Sequence, residues 1–218
     1  MSQCRLTHAA GEGDSAGREA VSPTREAVGS PFRIAVICTA NQCRSVMVEH
    51  LWSAQLSATS AMRRRAEPIS VRSAGLLPGG QPATPRTVRV LSERGLDASG
   101  HRSHQIGSWL SSSDLIIAMT FEQLRVVIAS DPALWPRVFA LRQLVARAEA
   151  GPPRSAEQTP ADWIAQLHAG RSARDTIAPA WLDIEDPTGG SLRRHRALID
   201  ELDVMLARLT ELLLGAHN

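Results

Sequence analysis

Residues 33–51 read RIAVICTANQCRSVMVEHL, and their order decides the fold. Ile34-Ala35-Val36-Ile37 is a short apolar, β-branched run, the pattern of a strand buried on both faces. Met47, Leu51 and Ala54, spaced i, i+4, i+7, lay one apolar stripe along a helix. Between them stands Cys38-Thr39-Ala40-Asn41-Gln42-Cys43-Arg44-Ser45. A loop running from the C-terminal end of a strand into a helix N-terminus gathers backbone N–H groups around one small space. The positive end of the helix dipole points there too, which makes an anion cradle. Such a setting favours the thiolate of a cysteine. Arg44 adds a planar fork of donors that grips two oxygens of a phosphate. Thiolate, oxyanion donors and guanidinium around one phosphate-sized hole make a nucleophilic phosphoryl-transfer site. The Cys-to-Arg spacing alone is unspecific. Its position between strand and helix, with Ser45 directly after Arg44, gives it weight.

Working outward, residues 1–30 carry Gly, Ser, Ala and charge without apolar periodicity and predict a disordered tail. Arg63-Arg64-Arg65 reads as a solvated helix end. Ile69 to Ser73 alternates and predicts a second strand, followed by Ala74-Gly75 and a Pro/Gly-rich loop. Pro85 suits the first turn of a helix that Gly95 stops, and Leu96 to Gln105 reads as polar connection. Leu115 to Met119 predicts a third strand and Phe121 to Ala129 a helix; Val138 to Leu141 predicts a fourth strand leading into a helix through about Ala150. Residues 151–180 break this rhythm with Pro152-Pro153, Pro160, Gly170 and Pro179, and are expected to be an insert or flap with one helical patch at Asp162 to His168. Trp181 to Gly190 reads as a loop. From Ser191 to Leu214 runs the longest periodic helix, with Leu192, Ile199, Leu202, Met205, Leu206, Leu209 and Leu213 on one face. Alternating strands and helices predict an α/β domain over residues 31–218, a three-layer α/β/α fold with a four-stranded parallel sheet flanked by helices. In such sheets ligands bind beyond the strands' C-terminal ends, where the cradle sits.

Composition narrows the function classes. A formal net charge of +2, with no basic stripe interleaved with aromatics, gives no reason to expect nucleic acid. No run approaches the ~20 apolar residues of a membrane span. Three cysteines, two of them inside the cradle, do not make a disulfide framework. A nucleophilic cysteine suits a reducing compartment, so a cytoplasmic protein is expected.

Several separate stretches together resemble the low-molecular-weight protein tyrosine phosphatases. CTANQCRS looks like that family's Cys-x-x-Asn-x-x-Arg-Ser loop. Ser73-Ala74-Gly75 stands where the family has a Ser supporting the loop, GLDASGHRSHQI looks like its His-Arg segment, DLIIAM like its third strand, and Asp186-Pro187 like its late Asp-Pro. The resemblance implies that Cys38 attacks phosphorus to form a phosphocysteine. It implies that Arg44 and the loop of Thr39, Ala40, Asn41, Gln42 and Cys43 hold the phosphoryl oxygens, and that Ser45 donates to the departing thiolate. Asp186 would be the general acid, with Asp183 and Glu185 as competing carboxylates in the same loop. Asn41, Ser73 and His101 would brace the cradle. Neither a metal nor another cofactor is implied. The chain departs from the family at Ala40 (commonly Gly), Val46 (commonly Pro), Thr120 (usually acidic) and Thr188, where a Tyr often walls the pocket; this chain contains no Tyr. The expected function is a cysteine-dependent phosphomonoester hydrolase, protein-tyrosine-phosphatase-like, acting on phosphotyrosine in proteins. The alternatives are a small aryl or sugar phosphate as substrate, arsenate reduction coupled to a small thiol, or a non-catalytic phosphate-binding module. Cys43, five positions from Cys38, reads either as packing or as a redox partner.

Overall fold

The computed structural model describes residues 31–62 and 68–215. The expected tail, residues 1–30, and Arg63-Arg64-Arg65 lie outside the described residues. β1 (Phe32–Cys38), β2 (Ile69–Gly75), β3 (Leu115–Ala118) and β4 (Val138–Ala140) form one parallel sheet in the order β2-β1-β3-β4. Around it stand α1 (Arg44–Met62), α2 (Pro85–Ser92), α3 (Phe121–Ser130), α4 (Leu141–Ala150), α5 (Pro160–His168) and α6 (Leu192–Leu214). The chain is an α/β protein with three layers, as the alternation predicts.

The pleat of β1 assigns the layers. Ile34, Val36 and Cys38 face a large cluster built from α1, α2, α4, α5 and α6, while Ala35 and Ile37 face a smaller one built on Phe121, Leu124 and Val127 of α3. Successive side chains of a strand point to opposite faces, so a fully apolar strand serves both layers. α1 buries more than the one stripe its spacing suggests: Val46, Met47, Val48, Leu51, Trp52 and Leu56 are all buried. The Trp52 indole donates to Thr210 Oγ1 at 2.9 Å, which ties α1 to α6. Along α6, Ile199, Leu202, Leu206, Leu209 and Leu213 are buried, with Leu192 and Met205 packed at the margin.

Two expectations change. Leu141 begins α4 rather than ending β4. The segment 151–180 is not simply a cover, because α5 places Trp163, Ile164 and Leu167 in the main core. Its start carries a full local signal: Thr159 caps Asp162 N, Asp162 returns the bond to the Thr159 amide, and Pro160 occupies the first turn. A second anchor is Arg171, whose guanidinium lies 3.9 Å from the Trp135 ring and 4.0 Å from Phe139. Burial lowers its pKa to about 10.

Candidate active site

Cys38 is the last residue of β1 and Arg44 the first of α1, so the five residues between them must turn the chain back within a few ångströms. Asn41 makes that turn at φ +52, in the left-handed region that a short polar side chain tolerates. Its amide N–H points back to Cys38 Sγ at 3.2 Å. The loop presses so closely on β2 that a Cβ on Gly75 would sit 2.8 Å from both Asn41 N and Thr39 O; only glycine fits.

The cradle is braced from behind by a relay of defined polarity. Asn41 Nδ2 donates to Ser73 Oγ at 2.7 Å and to Ser45 Oγ at 3.0 Å. Ser73 spends its own hydrogen on the Glu49 carboxylate, an acceptor only. Ser45, receiving from Asn41, keeps its hydrogen for Cys38 Sγ, 3.0 Å away. Asn41 Oδ1 accepts the His104 N–H at 2.8 Å, and His101 Nε2 lies 2.8 Å from the Asn41 carbonyl. Residues 96–105, which read as plain connection, therefore form the far wall of the loop. Asn41, Ser73 and His101 lie together behind the cradle, and Glu49 and the His104 amide join them. Glu49 follows Ser45 by four residues on α1, and that spacing was the available signal.

Arg44 is buried, and its two terminal nitrogens reach the late loop: Nη1 donates to Ile184 O at 3.1 Å and Nη2 to Asp186 Oδ2 at 2.7 Å. That loop is registered on the sheet by the Ile184 N–H, which donates to Met119 O at 2.8 Å. The three carboxylates of the loop separate cleanly. Asp183 accepts from the Phe121 N–H at 2.7 Å and so caps α3, Glu185 pairs with Arg194 at the surface, and Asp186 meets Arg44. Burial raises the Asp186 carboxyl, but the hydrogen bonds of Thr188 and the charges of Arg44 and His195 outweigh it and hold the group below its usual range. His195, on the first turn of α6, was not anticipated; its buried ring bonds to Ser191 O at 3.0 Å.

The remaining loop residues fill out the cradle. Thr39 is exposed at the mouth, where its Oγ1 accepts from Gln123 Nε2 at 3.1 Å. Gln123 Oε1 in turn accepts from the Met119 and Thr120 amides at 3.0 and 3.2 Å, fixing α3 against the cradle. Ala40 and Gln42 are half-buried, and the Gln42 carbonyl accepts from Thr84 N at 2.9 Å. Cys43 is buried, and burial pushes its thiol up to about 11 against a hydrogen bond from Thr87, so at neutral pH it is a packed, uncharged thiol. Val46, where a proline is common, is buried in the main core. Thr188 is exposed beyond Pro187.

Comparison with known proteins agrees with this geometry. The family model described as low molecular weight phosphotyrosine protein phosphatase matches residues 33–152. The probable low molecular weight protein-tyrosine-phosphatase EpsP of Ralstonia solanacearum is 37% identical over 114 residues, covering 51% of this chain and 71% of its own. The protein-arginine-phosphatase of Geobacillus stearothermophilus is 26% identical over 183 residues, covering 83% of this chain and 95% of its own. Among solved structures, the low molecular weight protein tyrosine phosphatase from T. tengcongensis superposes with a TM-score of 0.60 at 26% identity, covering 82% of this chain and 97% of that one. A cysteine at the end of the first strand, an arginine opening the helix that follows, and a family match running through both carry one conclusion: the chain belongs to the low molecular weight phosphotyrosine protein phosphatase family and is a cysteine-dependent phosphatase.

Proposed function

We propose that Cys38 is the nucleophile, Arg44 the oxyanion clamp and Asp186 the general acid in hydrolysis of phosphorylated protein side chains. The observation that carries this reading is the convergence of Ser45 Oγ and the Asn41 N–H on Cys38 Sγ, with Arg44 bridging to Asp186 alone among the loop's carboxylates. In the first step a lone pair on Sγ forms the S–P bond while the bond from phosphorus to the leaving atom breaks, and that atom takes its proton from Asp186. The amides of Thr39 to Cys43 and the first turn of α1 receive the equatorial oxygens. In the second step Asp186 takes a proton from water, the water oxygen attacks phosphorus, and the S–P pair returns to Sγ, where the Ser45 hydroxyl receives it with a hydrogen bond.

The Arg44–Asp186 pair makes proton supply conditional on substrate. A phosphoryl group that takes the guanidinium removes one of the influences that hold the carboxyl down, the hydrogen bonds of Thr188 staying in place. The dianion beside it then raises its affinity for a proton. Asp186 thus becomes an acid where and when an acid is needed. The expected site of action is the cytosol, where a catalytic thiol stays reduced; among the described residues no helix is long and apolar enough to cross a membrane.

The experiment is a leaving-group series. Cys38→Ser should abolish turnover. Asp186→Asn should slow phenyl phosphate by about 10²–10⁴-fold and p-nitrophenyl phosphate far less, because a nitrophenolate departs almost unaided. Equal losses on both, or a larger effect from Asp183→Asn or Glu185→Gln, would refute the assignment of the acid.

A second reading is phosphoarginine as the substrate. The arginine phosphatase of Geobacillus matches 83% of this chain, against 51% for EpsP. The threonine after Asp-Pro also supplies no ring for a phenol. Comparing kcat/KM on a phosphoarginine protein and a phosphotyrosine protein separates the two.

A further inference from the structure

Beside the acid loop, α4 and residues 174–182 enclose a cleft of about 450 Å³. That falls in the range of sites that hold a compact ligand or a few side chains. Phe121, Ala178 and Leu182 give it apolar walls, and Ile177, 76% exposed, forms part of the lining open to solvent. Trp181, 72% exposed, stands on the same short stretch of chain. The charge in the cleft is positive. Arg147 spends Nε and Nη2 on the carbonyls of Leu167 and Ala169, which satisfy hydrogens without neutralising charge. Arg174 is exposed and forms no ion pair among the described residues. The lining's one carboxylate, Asp175, is turned to the Ser172 amide and hydroxyl at 2.7 and 3.0 Å. Gln143, also in the lining, accepts from the buried Arg171 guanidinium at 3.3 Å, so a further cation stands behind the wall.

This cleft and the catalytic centre share one strand of chain. Leu182 lines the cleft, Asp183 caps α3 at Phe121, and Ile184 gives its carbonyl to Arg44. Leu182 and Ile184 lie two residues apart, at most about 7 Å. Resting on the phosphoprotein reading above, we propose that the cleft docks the polypeptide flanking the phosphorylated residue of a protein substrate. An apolar side chain of the substrate packs against Phe121, Ile177 and Leu182, and an acidic one meets Arg147 and Arg174. Apolar walls with more guanidiniums than carboxylates fit an apolar-acidic sequence, and continuity with the acid loop would set that sequence next to the residue being dephosphorylated.

The test uses the full chain, p-nitrophenyl phosphate, and phosphotyrosine and phosphoarginine peptides of equal length flanked on both sides by Leu-Glu, Leu-Lys or Gly-Ser. The wild type should prefer the Leu-Glu peptide to the Gly-Ser peptide by about tenfold in kcat/KM, carried by KM, as burial of one apolar side chain allows. Ile177→Ser should cut that preference to about twofold, and Arg174→Glu should move it to the Leu-Lys peptide. Both variants should turn over p-nitrophenyl phosphate within twofold of wild type. Equal turnover of the three flanks by wild type would overturn the docking site and leave the phosphoprotein reading standing. So would a parallel loss on peptide and aryl phosphate in both variants, which would make the segment a mere support for the acid loop. Turnover of the aryl phosphate with none of any peptide would remove the phosphoprotein reading and the docking site together.

Discussion

Asn41 is the residue on which the cradle's shape converges. A non-glycine residue at φ +52 costs on the order of 1–2 kcal/mol, and five hydrogen bonds hold it there, three at its side chain and two at its backbone, to Cys38 and His101. Asn41→Ala keeps the strain, takes from Ser45 Oγ and Ser73 Oγ the hydrogen bond each accepts, and leaves the His104 amide unpaired. The expected result is a loss of roughly 2–4 kcal/mol of stability and a kcat decrease out of proportion to any rise in KM, measured by urea titration and steady-state kinetics. A kcat near wild type would show that the loop keeps its shape without the brace. Asp186 gives a pH-dependent signature. Its carboxyl sits below its ordinary value of 3.8 in the folded protein, so its contribution to stability is present above that pH and is lost as pH falls through the folded value. The Tm deficit of Asp186→Asn should therefore be visible at pH 6 and shrink as pH falls below 3.8 through the folded value; a pH-independent deficit would contradict the hold of Thr188 and Arg44 on the carboxylate. Cys38, Arg44 and Ser45 were legible because consecutive residues between a strand and a helix must share one space. Gln123 and the Ile184 carbonyl were not, because each reaches the site across a long separation in the chain with an ordinary residue type.

Among the elements, α5 is the one whose role a sequence reading understates. Proline-rich flanks drew attention to the break in rhythm, yet Thr159-Pro160 and Asp162 state a helix start, and Trp163, Ile164 and Leu167 lie on one face. Only packing shows what that face meets: Trp163 is fully buried in the cluster shared with α4 and α6. Trp163→Ala should cost about 3–5 kcal/mol, the range for deleting a large buried ring. Because the cluster is continuous with β1 and α1, far-ultraviolet circular dichroism and turnover of p-nitrophenyl phosphate should be lost in one shared transition on heating. Two separated transitions would make α5 an independent appendage. The Arg171 guanidinium between Trp135 and Phe139 adds a second hold on the same segment, a cation–π stack that lysine would not reproduce in shape. Fixing residues 160–171 in this way also sets the position from which residues 174–186 depart toward Arg44.

At the scale of the whole molecule, alternating strands and helices made a parallel sheet legible, because parallel neighbours need crossovers. The order β2-β1-β3-β4 follows less directly, but it explains the site. β1 lies inside the sheet, so its C-terminal cysteine is flanked by Gly75 at the end of β2 and by the loop after β3, while the 183–188 loop closes from above. The centre draws on β1, β2, α1 and the late loop together, so ligand binding is read out as global stability. Inorganic phosphate at about 100 times its dissociation constant should stabilise the protein by ~2.7 kcal/mol. At ~2–4 °C per kcal/mol for a chain of this size, that raises Tm by about 5–10 °C. Cys38→Ser should keep the rise, since the amides and Arg44 remain; Arg44→Lys should lose most of it, since an ammonium cannot hold two oxygens in one plane. Asp186→Asn is the discriminating variant. In the structure Asp186 occupies the Arg44 nitrogen that a phosphate oxygen would take, at 2.7 Å. If carboxylate and phosphate compete for that nitrogen, removing the carboxylate's charge strengthens phosphate binding, and Asp186→Asn should show a larger Tm rise than wild type at the same phosphate concentration. A smaller rise would mean that Arg44 holds both groups at once, and the release of Asp186 by the incoming phosphoryl group would have to be abandoned.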